Sequence, residues 1–263
     1  MEERKYYDVA YICNDYNMSS VNASIDSIIE AFRGKSGINF HIIDLNISQD
    51  KKHKLSLKFN KHCETNLAMY DMGEQEAFYT HHFFGGGAED FRLYFHKVEL
   101  DKAQKRQFAF YQKYFCDIMQ GTGRIYRFFL QDILCNVEIC LFLNYDVRAL
   151  RCISKIFKID MEQYLALVSR YYAYNKILEN DCVLNLMIGE DFISDFCKSF
   201  ECKGYFDNGM MLLNLAKMRE ENMAERFYTS AMNGKDSPNG ELLYSIEGIF
   251  NLGLKGKVKF CVF

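Results

Sequence analysis

Tryptophan is absent from the 263 residues, and proline occurs once, at Pro238. A single proline excludes a Pro-rich linker or interaction array. No histidine follows His96: His41, His53, His62, His81, His82 and His96 are the whole set. Any mechanism that needs an imidazole from the C-terminal half is therefore excluded within this chain. No apolar run approaches the roughly 18 to 20 residues of a membrane span, and no signal-peptide stretch follows the charged Met-Glu-Glu-Arg-Lys opening. Positive charge is not in excess either, with 32 Lys and Arg against 35 Asp and Glu and a net charge of -3. A dedicated nucleic-acid binder is not expected from that balance. Ten cysteines are scattered without a C-x-x-C pair; Cys135/Cys140 and Cys197/Cys202 are each five apart. They are expected to be buried, reduced thiols in a cytoplasmic protein.

What is present suits an ordinary globular core: 49% hydrophobic residues, 25% charged, and abundant Phe (23) and Tyr (18). The length allows one large domain, or at most two small ones. Val9-Ala-Tyr-Ile-Cys13 predicts a buried first strand, and Asn14-Asp-Tyr-Asn17 a loop or cap. Val21, Ser24, Ile25, Ile28, Ile29 and Phe32 recur at helical spacing. Ile38 to Asp44 then predicts a second strand, so the chain opens β-α-β with adjacent strand ends where a ligand can sit. Lys51, Lys54, Lys58 and Lys61 fall near one helical face, either an anionic-surface patch or a solvated face. Leu67 to Tyr70 is a candidate third strand, and residues 72 to 100 have no clear assignment. Helices are expected over Asp101–Ile118, Arg124–Leu134, Ala216–Tyr228 and Glu241–Phe250. Further strands are expected at Ile139–Leu143, around Met210–Asn214, and over Lys257–Val262, with a short helix near Ile153. Alternating strands and helices without a linker indicate one α/β domain with a mostly parallel sheet flanked by helices.

Glycine motifs lead nowhere. Gly34-Lys-Ser36 lacks the earlier glycine of a P-loop, because Ile29 stands at that position on a helix. Gly85-Gly-Gly87 and Gly121-Thr-Gly123 lack the strand-turn-helix context of a dinucleotide site. The end of the strand Ile139–Leu143 is more informative. Asn144 and Asp146 follow it directly, at the sheet's carboxyl edge, where two oxygen-bearing side chains can hold a hard divalent cation against a diphosphate. A strand-end Asp capping the next element is the competing reading.

Several segments together resemble glycosyltransferase family 8 of the GT-A fold, the class of glycogenin and of lipopolysaccharide galactosyl- and glucosyltransferases. Tyr7 to Tyr16 with Ser24-Ile-Asp-Ser-Ile28 is similar to the family's opening strand, nucleotide loop and first helix. Ile38 to Ser48 is similar to its second strand and turn, and Tyr126-Arg127 to Leu134 to the helix whose Arg lies by the donor sugar. Leu141-Phe-Leu-Asn144-Tyr145-Asp146 stands where the family has its Tyr-Leu-Asp-x-Asp metal site. Tyr205-Phe-Asp-Asn-Gly209 to Arg219 resembles its Phe-Asn-x-Gly strand. Pro238-Asn-Gly-Glu-Leu-Leu-Tyr244 stands at its Asp-Gln-Asp-Ile-Leu-Asn.

The resemblance implies a single Rossmann-like domain over 1–263, with a nucleotide-binding half (1–146) and a donor-sugar and acceptor half (147–263). It implies retaining transfer of a hexose from a nucleotide-sugar, a UDP-sugar, to a glycan or lipid-linked saccharide acceptor, as in lipopolysaccharide or other glycan biosynthesis, with peripheral membrane contact allowed. By position, Asp15 and Tyr16 would contact the nucleotide, and Asp146 with Asn144 would hold Mn²⁺ or Mg²⁺. Arg127 would face the donor sugar or diphosphate, and Asp207 and Glu241 would line the sugar pocket. Competing roles are a helix N-cap for Asp15, a structural ion pair for Arg127, and ordinary loop or helix-start carboxylates for Asp207 and Glu241. The sequence also departs from the family. Asn144 replaces a metal-site Asp, Asn239-Gly240 replaces Asp-Gln, Asp207 replaces Asn, and the later His-x-x-Gly-x-x-Lys-Pro segment has no counterpart. Losing a carboxylate and an imidazole is expected to weaken cation binding sharply. A catalytically silent relative, acting as a binding or regulatory module, is the alternative.

Overall fold

The computed structural model describes residues 5–32, 36–61, 69–72, 75–84, 87–115, 122–170, 206–234 and 246–261. The chain divides into two compact units, one of residues 1–99 with 136–160 and the other of residues 100–135 with 161–263.

In the first unit, β1 (Tyr6–Cys13), β2 (Gly37–Asp44), β5 (Gly87–Lys97) and β6 (Ile139–Leu143) run parallel, in the order β5-β2-β1-β6. β3 (Met69–Met72) and β4 (Gln75–Phe84) extend the sheet antiparallel beyond β5. Helix α1 (Met18–Ala31) buries Met18, Val21, Ser24, Ile25 and Ile28, the three- and four-residue spacing of one helical face. The Tyr11 hydroxyl on β1 meets the Ser24 hydroxyl at 2.9 Å, which satisfies two buried polar groups and fixes the helix against the strand. Helix α2 (Gln49–Lys61) follows a turn in which Asn46 adopts a positive φ of 62°. Of its lysines, Lys51 faces Asp15, Lys52 Asp44 and Lys54 Asp50, while the side chains of Lys58 and Lys61 lie outside the described residues.

Side chains alternate across β1, so Tyr11 faces α1 while Asp8 faces the other side. On that side a polar network crosses three strands. His41 Nε2 lies 2.9 Å from Asp8 Oδ1, its Nδ1 lies 2.8 Å from His96 Nε2, and Asn39 donates to Asp8 at 2.8 Å. Burial first, and His41 second, lowers the His96 pKa to about 3. His96 is therefore neutral at physiological pH.

In the second unit, β7 (Ala166–Arg170) pairs antiparallel with β8 (Phe206–Asn214) and parallel with β9 (Val258–Phe260). Helix α3 (Lys102–Phe115) precedes a 3₁₀ helix (Thr122–Phe129) that runs into the one-turn α4 (Leu130–Ile133). The stretch expected as one charged helix is two, α5 (Leu215–Glu220) and α6 (Met223–Gly234), because Asn222 turns into the left-handed region at φ 50°. Helix α7 (Ile246–Gly253) completes an aromatic core. Phe227 stacks on Phe250 with centroids 4.8 Å apart, and Tyr111 stacks on Phe128 at 4.5 Å. Gly253 is needed here, since a Cβ on it would stand 2.3 Å from the Phe227 ring.

Candidate functional site

The first unit has a reversal of strand order. From β1 the chain moves to β2 on one side, and later returns to β6 on the other side of β1. The connections leaving β1 and β6 therefore start side by side at the carboxyl edge of the sheet, the usual ligand position in parallel α/β sheets. The register Ala10↔Phe142 brings the segments after Cys13 and after Leu143 to that one edge.

After β1 the turn is held by reciprocal amide bonds. Asn14 Oδ1 accepts from the Tyr16 and Asn17 backbone N–H groups at 3.0 and 3.2 Å, and Asn17 Oδ1 accepts from the Asn14 N–H at 2.9 Å. The turn leaves Tyr16 95% exposed. Asn17, not Asp15, stands at the N-cap of α1. Asp15 instead ties the turn to the β2–α2 connection. Its Oδ1 accepts from the Ser48 N–H at 2.7 Å, and its carbonyl accepts from Lys51 Nζ at 2.6 Å. The Ser48 backbone bond first, with Lys51 assisting, holds the Asp15 carboxyl below the usual carboxylate range, so it is ionised at neutral pH.

After β6, the Asn144 carbonyl accepts from the Val147 N–H at 3.1 Å and makes a tight turn. Tyr145 and Asp146 are exposed on it, and Asn144 is half-buried. The Arg148 guanidinium donates to the Tyr145 and Val147 carbonyls, and the Ala149 N–H donates to the Ser27 hydroxyl at 2.9 Å. The sequence-predicted residues Asp15, Tyr16, Asn144 and Asp146 thus share one sheet edge. As a cation site the edge is poor. Asp146 and Asn144 offer one carboxylate and one amide oxygen, the Asp15 carboxylate is bonded to the Ser48 N–H, and no group of three His, Cys, Asp or Glu suited to a metal exists among the described residues. The described residues of this edge do not fit a three-ligand shell.

The other predicted residues belong to the second unit. Arg127 is buried on the 3₁₀ helix at 4% exposure. Asp207, second in β8, accepts from the Gly209 N–H at 2.6 Å. Glu241 and Asn239-Gly240 lie outside the described residues. Sequence reasoning missed the group that fixes the start of β8. Asn251 on α7 accepts from the Phe206 N–H at 2.8 Å and donates towards the Phe206 carbonyl, Asn208 Oδ1 and the Glu247 carbonyl at 3.1–3.2 Å. Glu247 is ion-paired to Arg124. The available signal was a lone Asn within the apolar run Ile246 to Leu254. The expectation for the cysteines holds for Cys13 and Cys140, which are buried, whereas Cys135 is exposed. Burial and the neighbouring Asp44 and Asp15 push the Cys13 thiol up to about 12, so it stays a thiol.

The family model for Glycosyl transferase family 8 matches residues 8–261. No curated protein sequence matches the chain. Among solved structures, the bifunctional glycosyltransferase WbbM superposes with a TM-score of 0.66 at 12% identity, covering 99% of this chain and 39% of that one. This chain therefore spans well under half of WbbM. The galactosyltransferase LgtC, solved with donor and acceptor sugar analogues, gives 0.66 at 16% identity over 97% of this chain and 73% of LgtC. Mouse xyloside xylosyltransferase 1 gives 0.61 at 13% identity, over 97% and 85%. At these identities the likeness establishes the fold, an α/β GT-A architecture.

Proposed function

We propose, from the premise that the chain belongs to glycosyltransferase family 8, that it transfers a hexose with retention from a UDP-sugar to a glycan or lipid-linked hydroxyl. The observation that carries this reading is the shared carboxyl edge of β1 and β6, where the order of strands reverses and Tyr16 and Asp146 both stand exposed. Tyr16 offers a ring face to the base, and the ionised Asp15, pinned by Ser48, offers a fixed acceptor to the nucleoside. By sequence position alone, Arg127 remains the candidate for charge towards the diphosphate, and Asp207 and Glu241 the candidates for contacts to the donor sugar. The acceptor oxygen bonds to the anomeric carbon on the face the nucleotide leaves. The bond from that carbon to the diphosphate oxygen breaks, and the acceptor proton passes to the departing nucleoside diphosphate. Mn²⁺ or Mg²⁺, when bound, would supply charge to the diphosphate. Asp146 and Asn144 would hold such an ion only weakly.

A second reading, a catalytically silent module that binds the nucleotide-sugar without turnover, is favoured by one observation: a neutral Asn144 at the position of a metal carboxylate. Calorimetric titration with UDP, UDP-glucose and UDP-galactose, with and without Mn²⁺, followed by a hydrolysis assay, separates the two. Binding with turnover supports transfer, binding without turnover supports the silent module, and no binding under any condition overturns both. Asn144→Asp adds a carboxylate to the edge and is expected to raise Mn²⁺ affinity; an unchanged affinity would remove Asn144 from the site.

A further inference from the structure

The turn after β6 carries a cation of its own. The Val147 N–H closes on the Asn144 carbonyl, and the two carbonyls that flank Asp146, those of Tyr145 and Val147, both accept from Arg148 Nη1, at 3.1 and 3.0 Å. One residue on, the Ala149 N–H donates to the Ser27 hydroxyl of α1. Behind it Ile153 is buried, and Phe157 stacks on Tyr7 of β1 with ring centroids 4.5 Å apart. The segment is therefore seated on the sheet, and the guanidinium is held at the turn. Its planar fork has a second edge. Nη1 is taken up by the two carbonyls, and among the described residues Arg148 makes no ion pair and no bond through Nε or Nη2. The side chain is exposed. Three N–H donors and a full positive charge thus stand beside Asp146, on the edge that Tyr16 shares.

We propose that Arg148 takes the place of a bridging cation, its Nε–Nη2 edge binding the diphosphate of the nucleotide-sugar without a metal, a role that rests on the reading of the β1–β6 edge as the nucleotide site. That edge suits a guanidinium better than a metal ion. A divalent cation needs several anionic oxygens, and Asp146 and Asn144 provide one carboxylate and one amide. A guanidinium needs none. It brings its own charge, stays protonated throughout the working pH range, and meets two phosphate oxygens with parallel bonds. The Tyr145 and Val147 carbonyls position it before the ligand arrives, so little side-chain freedom is lost on binding. No bond to Arg148 forms or breaks in the transfer. The guanidinium faces the charge of the departing diphosphate and keeps its protons, while the acceptor proton passes to that diphosphate. Asp146 changes meaning in such a site. With no cation to hold, its exposed carboxylate is a like charge beside the diphosphate and opposes binding. Substitutions at the two positions therefore act with opposite sign.

The test is titration of the full chain with UDP by calorimetry and with uridine by ligand-observed NMR, each in excess EDTA and in excess Mn²⁺. Wild type is expected to bind UDP in EDTA, more tightly than uridine, and less tightly at raised salt. Arg148→Gln keeps an N–H for the turn carbonyls and is expected to weaken UDP about tenfold while leaving uridine unchanged. Arg148→Lys, which keeps the charge and loses the fork, should fall between the two. An arginine that served only to hold the turn would affect uridine and UDP alike. Asp146→Asn is expected to strengthen UDP binding about threefold in EDTA, whereas the loss of a metal ligand would weaken it in Mn²⁺. UDP bound only with Mn²⁺, an equal or absent effect of Arg148→Gln on the two ligands, or weaker UDP binding by Asp146→Asn in EDTA would each overturn the role of Arg148 and leave the edge as a nucleotide site. No UDP binding by wild type under either condition would overturn both.

Discussion

Asn251→Asp tests how the second unit fixes the start of β8, and its magnitude follows from one buried amide. Asn251 is 1% exposed. Its Oδ1 accepts from the Phe206 N–H, and its Nδ2 faces three acceptors: the Phe206 carbonyl, Asn208 Oδ1 and the Glu247 carbonyl. Aspartate keeps the acceptor but replaces the NH₂ by a second oxygen. Ionised, that oxygen confronts three acceptors without a proton between them. Each interior acceptor left without its donor costs about 1–3 kcal/mol, and more beside a charge. A loss of roughly 3–5 kcal/mol is expected near neutral pH. The protonated acid restores one donor, so the carboxyl of the variant titrates above the ordinary value of about 3.9.

The sign follows from linkage. A carboxyl whose folded pKa is raised binds more protons folded than unfolded, so the variant loses stability as pH rises from the unfolded pKa to the folded one. The deficit against wild type is therefore full at neutral pH and shrinks as pH falls towards about 4. Urea titrations followed by far-UV circular dichroism, read as the difference from wild type at each pH, cancel acid effects common to both proteins. A deficit below about 1 kcal/mol, or one that does not change with pH, would refute the claim that this amide holds the strand by donating. Because Asp207 sits next to Phe206, the variant is also expected to impair any donor-sugar contact made there.

His96, depressed to about 3 by burial, binds fewer protons folded than unfolded, so wild type is expected to lose stability as pH falls from about 6.5 towards 3. His96→Asn should flatten that slope in a pH series of urea midpoints, and an unchanged slope would acquit the residue. Gly253→Ala drives a methyl to within 2.3 Å of the fully buried Phe227 ring and should destabilise by about 1–3 kcal/mol in thermal unfolding. Adding Phe227→Leu should recover part of the loss; strictly additive effects would refute the clash. Tyr16→Ala is expected to weaken UDP binding about tenfold in calorimetry while Tyr16→Phe does not, because stacking needs the ring and not the hydroxyl. Equal affinity for the two variants would take Tyr16 out of the nucleotide site.

The parts of the fold legible in the sequence are those where burial is two-sided and local. Ile139–Leu143 was delimited to the residue, and the opening β-α-β emerged from apolar runs and helical spacing alone. Residues 72 to 100 resisted because β5 alternates Phe91, Leu93 and Phe95 with Arg92, Tyr94 and His96. Such alternation predicts a solvent-facing strand, yet His96 is buried because His41 on the neighbouring strand, itself held by Asp8, satisfies it. Partners brought by pairing are invisible in a linear pattern. β7, five residues long, carries too short a period to stand out. The break between α5 and α6 rests on Asn222 accepting a left-handed backbone, which helical periodicity does not register.

For the site, sequence spacing and sheet topology supply different halves of the case. Asp146 beyond an apolar run indicates a strand end, and nothing in the run says which strand lies beside it. The pairing of β6 with β1, on the side away from β2, turns two unrelated loop sequences into one edge and makes Asp15, Tyr16, Asn144 and Asp146 neighbours in the fold. The same topology weakens the metal reading that spacing suggested. Asp15, the other acid of that edge, is already committed to the Ser48 N–H and to Lys51, and is thereby fixed as part of the loop scaffold. A cation arriving at Asp146 finds an amide where a second carboxylate would be required. From the described residues the charge offered to it is close to that of one aspartate, from which weak binding of Mg²⁺ and Mn²⁺ is expected. On the proposed reading, nucleotide recognition rests more on the exposed Tyr16 ring and on cationic side chains than on a bridging ion. That ordering is what comparing UDP titrations with and without Mn²⁺ resolves.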